Sequence, residues 1–167
     1  MYKRQILLTG IPGAGKTLAG LNLACERRMK DKNKEEHAVF LTGNVPLVSV
    51  LSESLAIDAS KNNKNKTKAE ALREVKSFIQ NVHHFRDECL ENSSPPTERI
   101  VIFDEAQRAY DLEKTKSFMK RNKNKPDFNF SEPEFLIKSM DRHTGWTAIV
   151  CLVGGGQEIN KGEGGMK

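Results

Sequence analysis

Apolar residues fall along this chain in two alternating rhythms. Dense short runs, "RQILLTG" (4–10), "HAVFLTG" (37–43), "RIVIF" (99–103) and "TAIVCLV" (147–153), have the length and β-branched content of buried strands. Between them the spacing relaxes to three and four residues, the period of a helix with one buried face. From Lys16 it runs through Leu18, Leu21, Leu23, Ala24 and Met29, and a charged stretch ends it near residue 33. It returns in "PLVSVLSESLAIDA", with Pro46 near the first turn. It appears again in "AEALREVKSFIQNVHHFRDECL", through Leu72, Val75, Ile79, Val82 and Cys89, with a break around Gln80–Asn81. "EPEFLIKSMDRH" supplies another helix. Strands alternating with helices predict a parallel sheet covered on both faces, an α/β fold. At 167 residues this is one domain with a real core.

Charge changes the picture locally. The chain carries 27 basic and 22 acidic residues, a formal net charge of +5. "KNNKNKTK" (61–68) and "KTKSFMKRNKNK" (114–125) hold ten of the basic residues and no acid, leaving 17 basic against 22 acidic, or −5, elsewhere. These runs read as Lys/Asn-rich insertions. They are either solvated flexible loops or surfaces that attract a phosphate backbone. Cys25, Cys89 and Cys151 are far apart and odd in number, which fits reduced thiols rather than disulfides or zinc ligands. Adjacent His83 and His84 suit no metal pair and read as structural or surface residues. No apolar run reaches the roughly 18 residues of a membrane span, and residues 1–10 do not form a signal peptide. A cytoplasmic protein is expected.

The chemistry is concentrated in "GIPGAGKT" (10–17), a match to G-x-x-x-x-G-K-[ST] lying between a strand and a helix. Gly10, Gly13 and Gly15 allow a cup of inward-pointing N–H groups, and the helix that follows adds its positive end. Lys16 can reach the β- and γ-phosphates of a nucleotide, and Thr17 can offer its hydroxyl to Mg²⁺. The nucleotide-binding candidates are Gly10, Ile11, Pro12, Gly13, Ala14, Gly15, Lys16, Thr17 and Leu18. In a parallel sheet, ligands sit beyond the carboxyl ends of the strands, so Asp104, ending "RIVIFD", belongs on the same edge. Asp104 becomes the second metal candidate, and Glu105 the base that polarises the attacking water. Gln107 and Gln157, the latter in "LVGGGQEI", are candidates for sensing the γ-phosphate.

"GIPGAGKT", "FLTGNVPLVSVL", "VIFDEAQRAY", "SEPEFLIKSMDRH" and "IVCLVGGGQEIN" resemble, in order, the first RecA-like domain of superfamily 1 helicases. The chain looks closest to the Schlafen-type DNA/RNA helicase domain family. The resemblance implies a three-layer α/β P-loop NTPase domain over residues 1–167, with a mainly parallel sheet flanked by helices. It implies ATP as substrate, Mg²⁺ as cofactor and single-stranded DNA or RNA as partner. Lys16 and Thr17 correspond to helicase motif I, Asp104, Glu105 and Gln107 to motif II, and Gln157 to motif III. "LTGNVPL" resembles motif Ia, which makes Thr42, Asn44 and Pro46 candidates for contact with the strand. A second RecA-like domain in a longer chain is expected to supply an arginine, so these residues alone should turn ATP over hardly at all. Two other readings stay open: an AAA+ or phage-export type ATPase acting on a protein, which uses the same carboxylate pair, and, from a different class, a nucleotide switch that does not hydrolyse.

Overall fold

A computed structural model describes residues 3–29, 37–63 and 65–154. Five strands, β1 (Lys3–Gly10), β2 (His37–Thr42), β3 (Ile79–Asn81), β4 (Glu98–Asp104) and β5 (Thr147–Gly154), form one sheet in the order β1-β5-β4-β2-β3. Every pairing is parallel. The helices are α1 (Lys16–Met29), α2 (Val45–Asn62), α3 (Lys68–Lys76), α4 (Val82–Glu91), α5 (Leu112–Asn122) and α6 (Glu132–Met140). No described helix is long and apolar enough to cross a membrane.

The continuous apolar runs of the strands divide by pleat into two cores. Ala38, Phe40, Ile100, Ile102, Val150 and Leu152 face one way, onto Leu21 and Ala24 of α1 and Val75 of α3. Val39, Leu41, Val101, Phe103 and Ile149 face the other way, onto Phe85 of α4 and Leu136 and Met140 of α6. Burial on both faces explains why these strands read as unbroken hydrophobic runs. The α1 helix lies very close to the sheet at Gly20, where an added Cβ would come within 2.6 Å of Leu152 Cδ1 and 2.9 Å of Ile102 Cγ2. At the sheet's edge, β1 differs from the rest: among the described residues Ile6, Leu7 and Leu8 remain 40–64 % exposed.

Two elements depart from the sequence expectation. The break near Gln80–Asn81 is a third parallel strand, β3, pairing Ile79 with Phe40 and Asn81 with Thr42. Three residues are too few to display a period of two, so helical spacing on either side concealed it. Asn81 then caps α4, its side chain accepting from the His83 N–H at 2.9 Å. The basic run 114–125 is mostly helix rather than loop. Asp111 caps α5 by accepting from Lys114 N–H at 2.8 Å, while Thr115 and Met119 are fully buried. The charges are the outer face of a packed helix. In the 61–68 run, Lys66 pairs with Glu74, and Lys68 with Glu53 at 2.7 Å. Thr67 and Glu70 form a reciprocal capping box at the start of α3.

If α5 is part of the packed body, Met119→Ala should destabilise the protein by about 2–5 kcal/mol, the usual range for a buried Met→Ala cavity. Urea unfolding followed by circular dichroism measures this; a loss under about 0.5 kcal/mol would mean that α5 is loosely attached.

Candidate functional site

The segment between β1 and α1 is an open turn. Ala14 N–H donates to Ile11 C=O at 3.2 Å, while Gly13 and Gly15 adopt φ of +78° and +80°. Side chains rarely take that conformation, so glycine is required at both positions. Residues 11–15 are exposed, with their backbone open to a ligand. Lys16 folds back over the turn, its ammonium donating to the carbonyls of Gly10 at 2.7 Å and Ile11 at 3.0 Å. Leu18, one step further on, is 60 % exposed.

The end of β4 closes on the start of α1. Thr17 Oγ1 donates to Asp104, 3.0 Å from Oδ1 and 3.2 Å from Oδ2. Asp104 is buried, and burial is the largest influence on it: its carboxyl is pushed above the usual range despite the Thr17 hydroxyl, and the neighbouring Glu105 adds to the rise. Two hard oxygen donors from distant parts of the chain thus meet at a spot suited to a small divalent cation.

Glu105 breaks from the strand with φ 54° and ψ 41°, a left-handed conformation that costs a non-glycine residue on the order of 1–3 kcal/mol. Its side chain is held from behind. Gln107, buried in the 3₁₀ turn Ala106–Arg108, donates from Nε2 to Glu105 Oε2 at 2.7 Å. The same amide accepts from the Gly154 N–H at 3.1 Å, so one glutamine ties Glu105 to the end of β5. The second glutamine candidate, Gln157, lies outside the described residues.

Beside this pair opens a cavity of about 560 Å³, running from Thr17, Asp104 and Glu105 past Thr42 and Asn44 to His83, Tyr110 and Lys114. Thr42 is buried and its hydroxyl accepts from the Asn44 N–H at 3.2 Å; Asn44 in turn caps α2 by accepting from Leu47 N–H at 3.2 Å. Pro46 is exposed in the first turn of α2 and is not part of the cavity wall.

A family model for the Schlafen group 3 DNA/RNA helicase domain matches residues 3–167. The chain belongs to that family. Its fold agrees: a mainly parallel sheet flanked by helices, the RecA-like P-loop NTPase architecture. A comparison with curated proteins returns no match.

In this helicase-family domain the structure also brings forward residues that the motifs did not. His83, read from the sequence as structural or surface, is half-buried in the cavity wall, and its Nδ1 lies 2.9 Å from the buried Glu132. Glu132 also accepts from the backbone N–H of Tyr110 at 3.1 Å. Their separation of 22 and 49 positions along the chain hid these contacts. One sequence cue existed: Glu132 is an acid immediately after Ser131, the cap of a helix that buries Phe135, Leu136 and Met140.

Asp104 gives a prediction with a defined sign. Its carboxyl titrates higher folded than unfolded, so it disfavours folding above the folded value, and the penalty vanishes as pH falls below the unfolded value. In nucleotide-free protein, Asp104→Asn should therefore raise the urea midpoint at pH 7, with the gain shrinking towards acid pH. A variant less stable at pH 7 would contradict the assignment.

Proposed function

We propose that this domain binds Mg²⁺–ATP between the Gly10–Thr17 turn and the Asp104–Glu105 pair, hydrolyses it, and couples that event to movement along single-stranded DNA or RNA. The observation that carries the reading is the convergence of Lys16, Thr17, Asp104 and Glu105 on one sheet edge, linked directly by the Thr17–Asp104 hydrogen bond of 3.0 Å.

The roles follow from what each group is. The turn's exposed N–H groups and the positive end of α1 favour an anion, so the triphosphate lies there. Lys16 now satisfies two carbonyls, a weaker partnership than an ammonium makes with phosphate oxygens, so the side chain moves to the β- and γ-phosphates when they arrive. Thr17 Oγ1 and Asp104 fit Mg²⁺, being hard oxygens already at 3.0–3.2 Å from each other. When bound there, the ion would neutralise charge on the phosphate oxygens. Glu105 takes the proton of the attacking water, and Gln107 fixes the carboxylate that does so. Through its bond to Gly154, Gln107 also joins the hydrolytic centre to β5, a route by which loss of the γ-phosphate reaches the rest of the domain.

A cation opposite Glu105 completes the site. Arg142 is committed elsewhere, donating to the carbonyls of Cys89 at 3.0 Å and Asn92 at 2.8 Å. Following the family resemblance, the reading assigns this cation to a second RecA-like domain, a contribution worth roughly 10³–10⁵ in rate.

Titration calorimetry and phosphate release test these roles. Lys16→Ala should lower Mg²⁺–ATP affinity about a hundredfold, as expected when a buried charge partner is truncated. Glu105→Gln should keep that affinity and, in a longer chain that carries the second RecA-like domain, reduce hydrolysis by about 10²–10⁴. Unchanged binding by Lys16→Ala, or parental turnover by Glu105→Gln, contradicts the proposal.

A further inference from the structure

We propose that His83, Tyr110 and Lys114 hold one nucleotide of the single strand in the cavity, and that buried Glu132 is the positioning residue that sets this wall. The inference rests on the nucleic-acid reading above and supplies side chains that no motif assigns.

The wall is built around a charge that is expensive to bury. Glu132 is 3 % exposed, and burying a carboxylate is costly unless its oxygens are satisfied. Two of its side-chain contacts, to His83 and Tyr110, serve the cavity side, and the third, to Arg86, lies behind it. Oε1 meets His83 Nδ1 at 2.9 Å and the Arg86 guanidinium at 3.4 Å, and Oε2 accepts from Tyr110 N–H at 3.1 Å. The Glu132 backbone N–H donates to Tyr110 C=O at 3.0 Å. Tyr110 is thus clamped at both backbone groups, and the His83 ring is fixed in place. His83 Nδ1 lies between the Glu132 carboxylate at 2.9 Å and the Arg86 guanidinium at 3.2 Å, so this nitrogen is engaged within the wall and Nε2 is the one left for a ligand. Among the described residues Nε2 has no hydrogen-bond partner.

What the wall presents is suited to one nucleotide. The His83 and Tyr110 rings stand 5.1 Å apart, inclined at 46°, and the Lys114 ammonium lies 4.0 Å from the Tyr110 ring centroid. No carboxylate pairs with Lys114 among the described residues. Aromatic surface for a base next to a cation for its phosphate is how proteins hold single strands without reading sequence. Lys114 and Tyr110 line the same cavity side by side, so the strand's phosphate lies at the ammonium and its base against the rings. A nucleotide seated there touches Tyr110, five residues from Glu105, which places strand binding beside hydrolysis.

Fluorescence anisotropy with labelled oligothymidylate and oligouridylate tests this on the full 167-residue chain, alongside Mg²⁺–ATP titration. Tyr110→Ala and Lys114→Ala should each weaken binding of the preferred oligonucleotide about tenfold, within the range for loss of one stacking contact. Lys114→Ala should also reduce the salt slope by about one, and Tyr110→Phe should keep wild-type affinity. Glu132→Gln should weaken the oligonucleotide but leave Mg²⁺–ATP affinity unchanged, a split that general unfolding would not produce. If Glu132→Gln does not fold, the half-exposed Tyr110 and Lys114 positions decide the matter. Wild-type affinity and salt slope in both alanine variants overturn this wall while leaving the nucleic-acid reading in place. A wild-type chain that binds neither oligonucleotide overturns both.

Discussion

Parallel pairing is the constraint from which the rest of this molecule follows. The register sets Gly10 beside Gly154 and Thr42 beside Asp104, so four strands end along a single edge. A parallel strand must be left by a crossover, and here α1, α2 and α4 each begin at that edge, after β1, β2 and β3. Three positive helix ends therefore face the place where Asp104 and Glu105 bring negative charge. The edge has both signs of charge before any ligand arrives. Residues 87 apart in sequence, Thr17 at the start of α1 and Asp104 at the end of β4, become hydrogen-bond partners because both lie on this edge.

Two buried carboxylates on this edge have opposite circumstances, and the difference marks their roles. Glu132 has its oxygens shared among an imidazole, a guanidinium and a backbone N–H. Asp104 receives the Thr17 hydroxyl, and burial still lifts its pKa. The first arrangement is complete and rigid. The second favours a cation. Next to Asp104, Glu105 is held in a left-handed backbone conformation and gripped by Gln107, so strain and unmet charge occupy the same two residues. Such concentration of unfavourable terms persists when the surrounding structure imposes it, and here β4, β5 and the 3₁₀ turn do so.

Much of the fold was legible because both faces of the sheet are buried. Four strands with continuous apolar runs and helices with clear periodicity were visible, as was the parallel sheet, but not the order of its strands. β3 escaped because three residues cannot show a period, and α5 because its Lys-rich outer face outnumbers the two positions, Thr115 and Met119, that are fully buried. At the site, the glycines, Lys16, Thr17, Asp104 and Glu105 could be named because their spacing and local context are tied to chemistry. Gln107 was visible as a residue but not as a bridge, since its second partner is the backbone of Gly154, 47 positions away. The cavity's far wall was barely legible. His83, Tyr110 and Glu132 come from three separate segments, and the one local cue, an acid directly after the Ser131 cap, does not reveal its partners.

The central claim is that the turn after β1 and the end of β4 form one nucleotide site. A crystal structure of this chain with Mg²⁺ and a non-hydrolysable ATP analogue tests it most directly. The account predicts the triphosphate within the Gly10–Thr17 turn and the Lys16 ammonium moved from the Gly10 and Ile11 carbonyls onto phosphate oxygens. It also predicts an ion between Thr17 Oγ1 and the Asp104 carboxylate. A nucleotide bound elsewhere, or one in the turn with Lys16 still on the carbonyls and Asp104 still on Thr17, would contradict it.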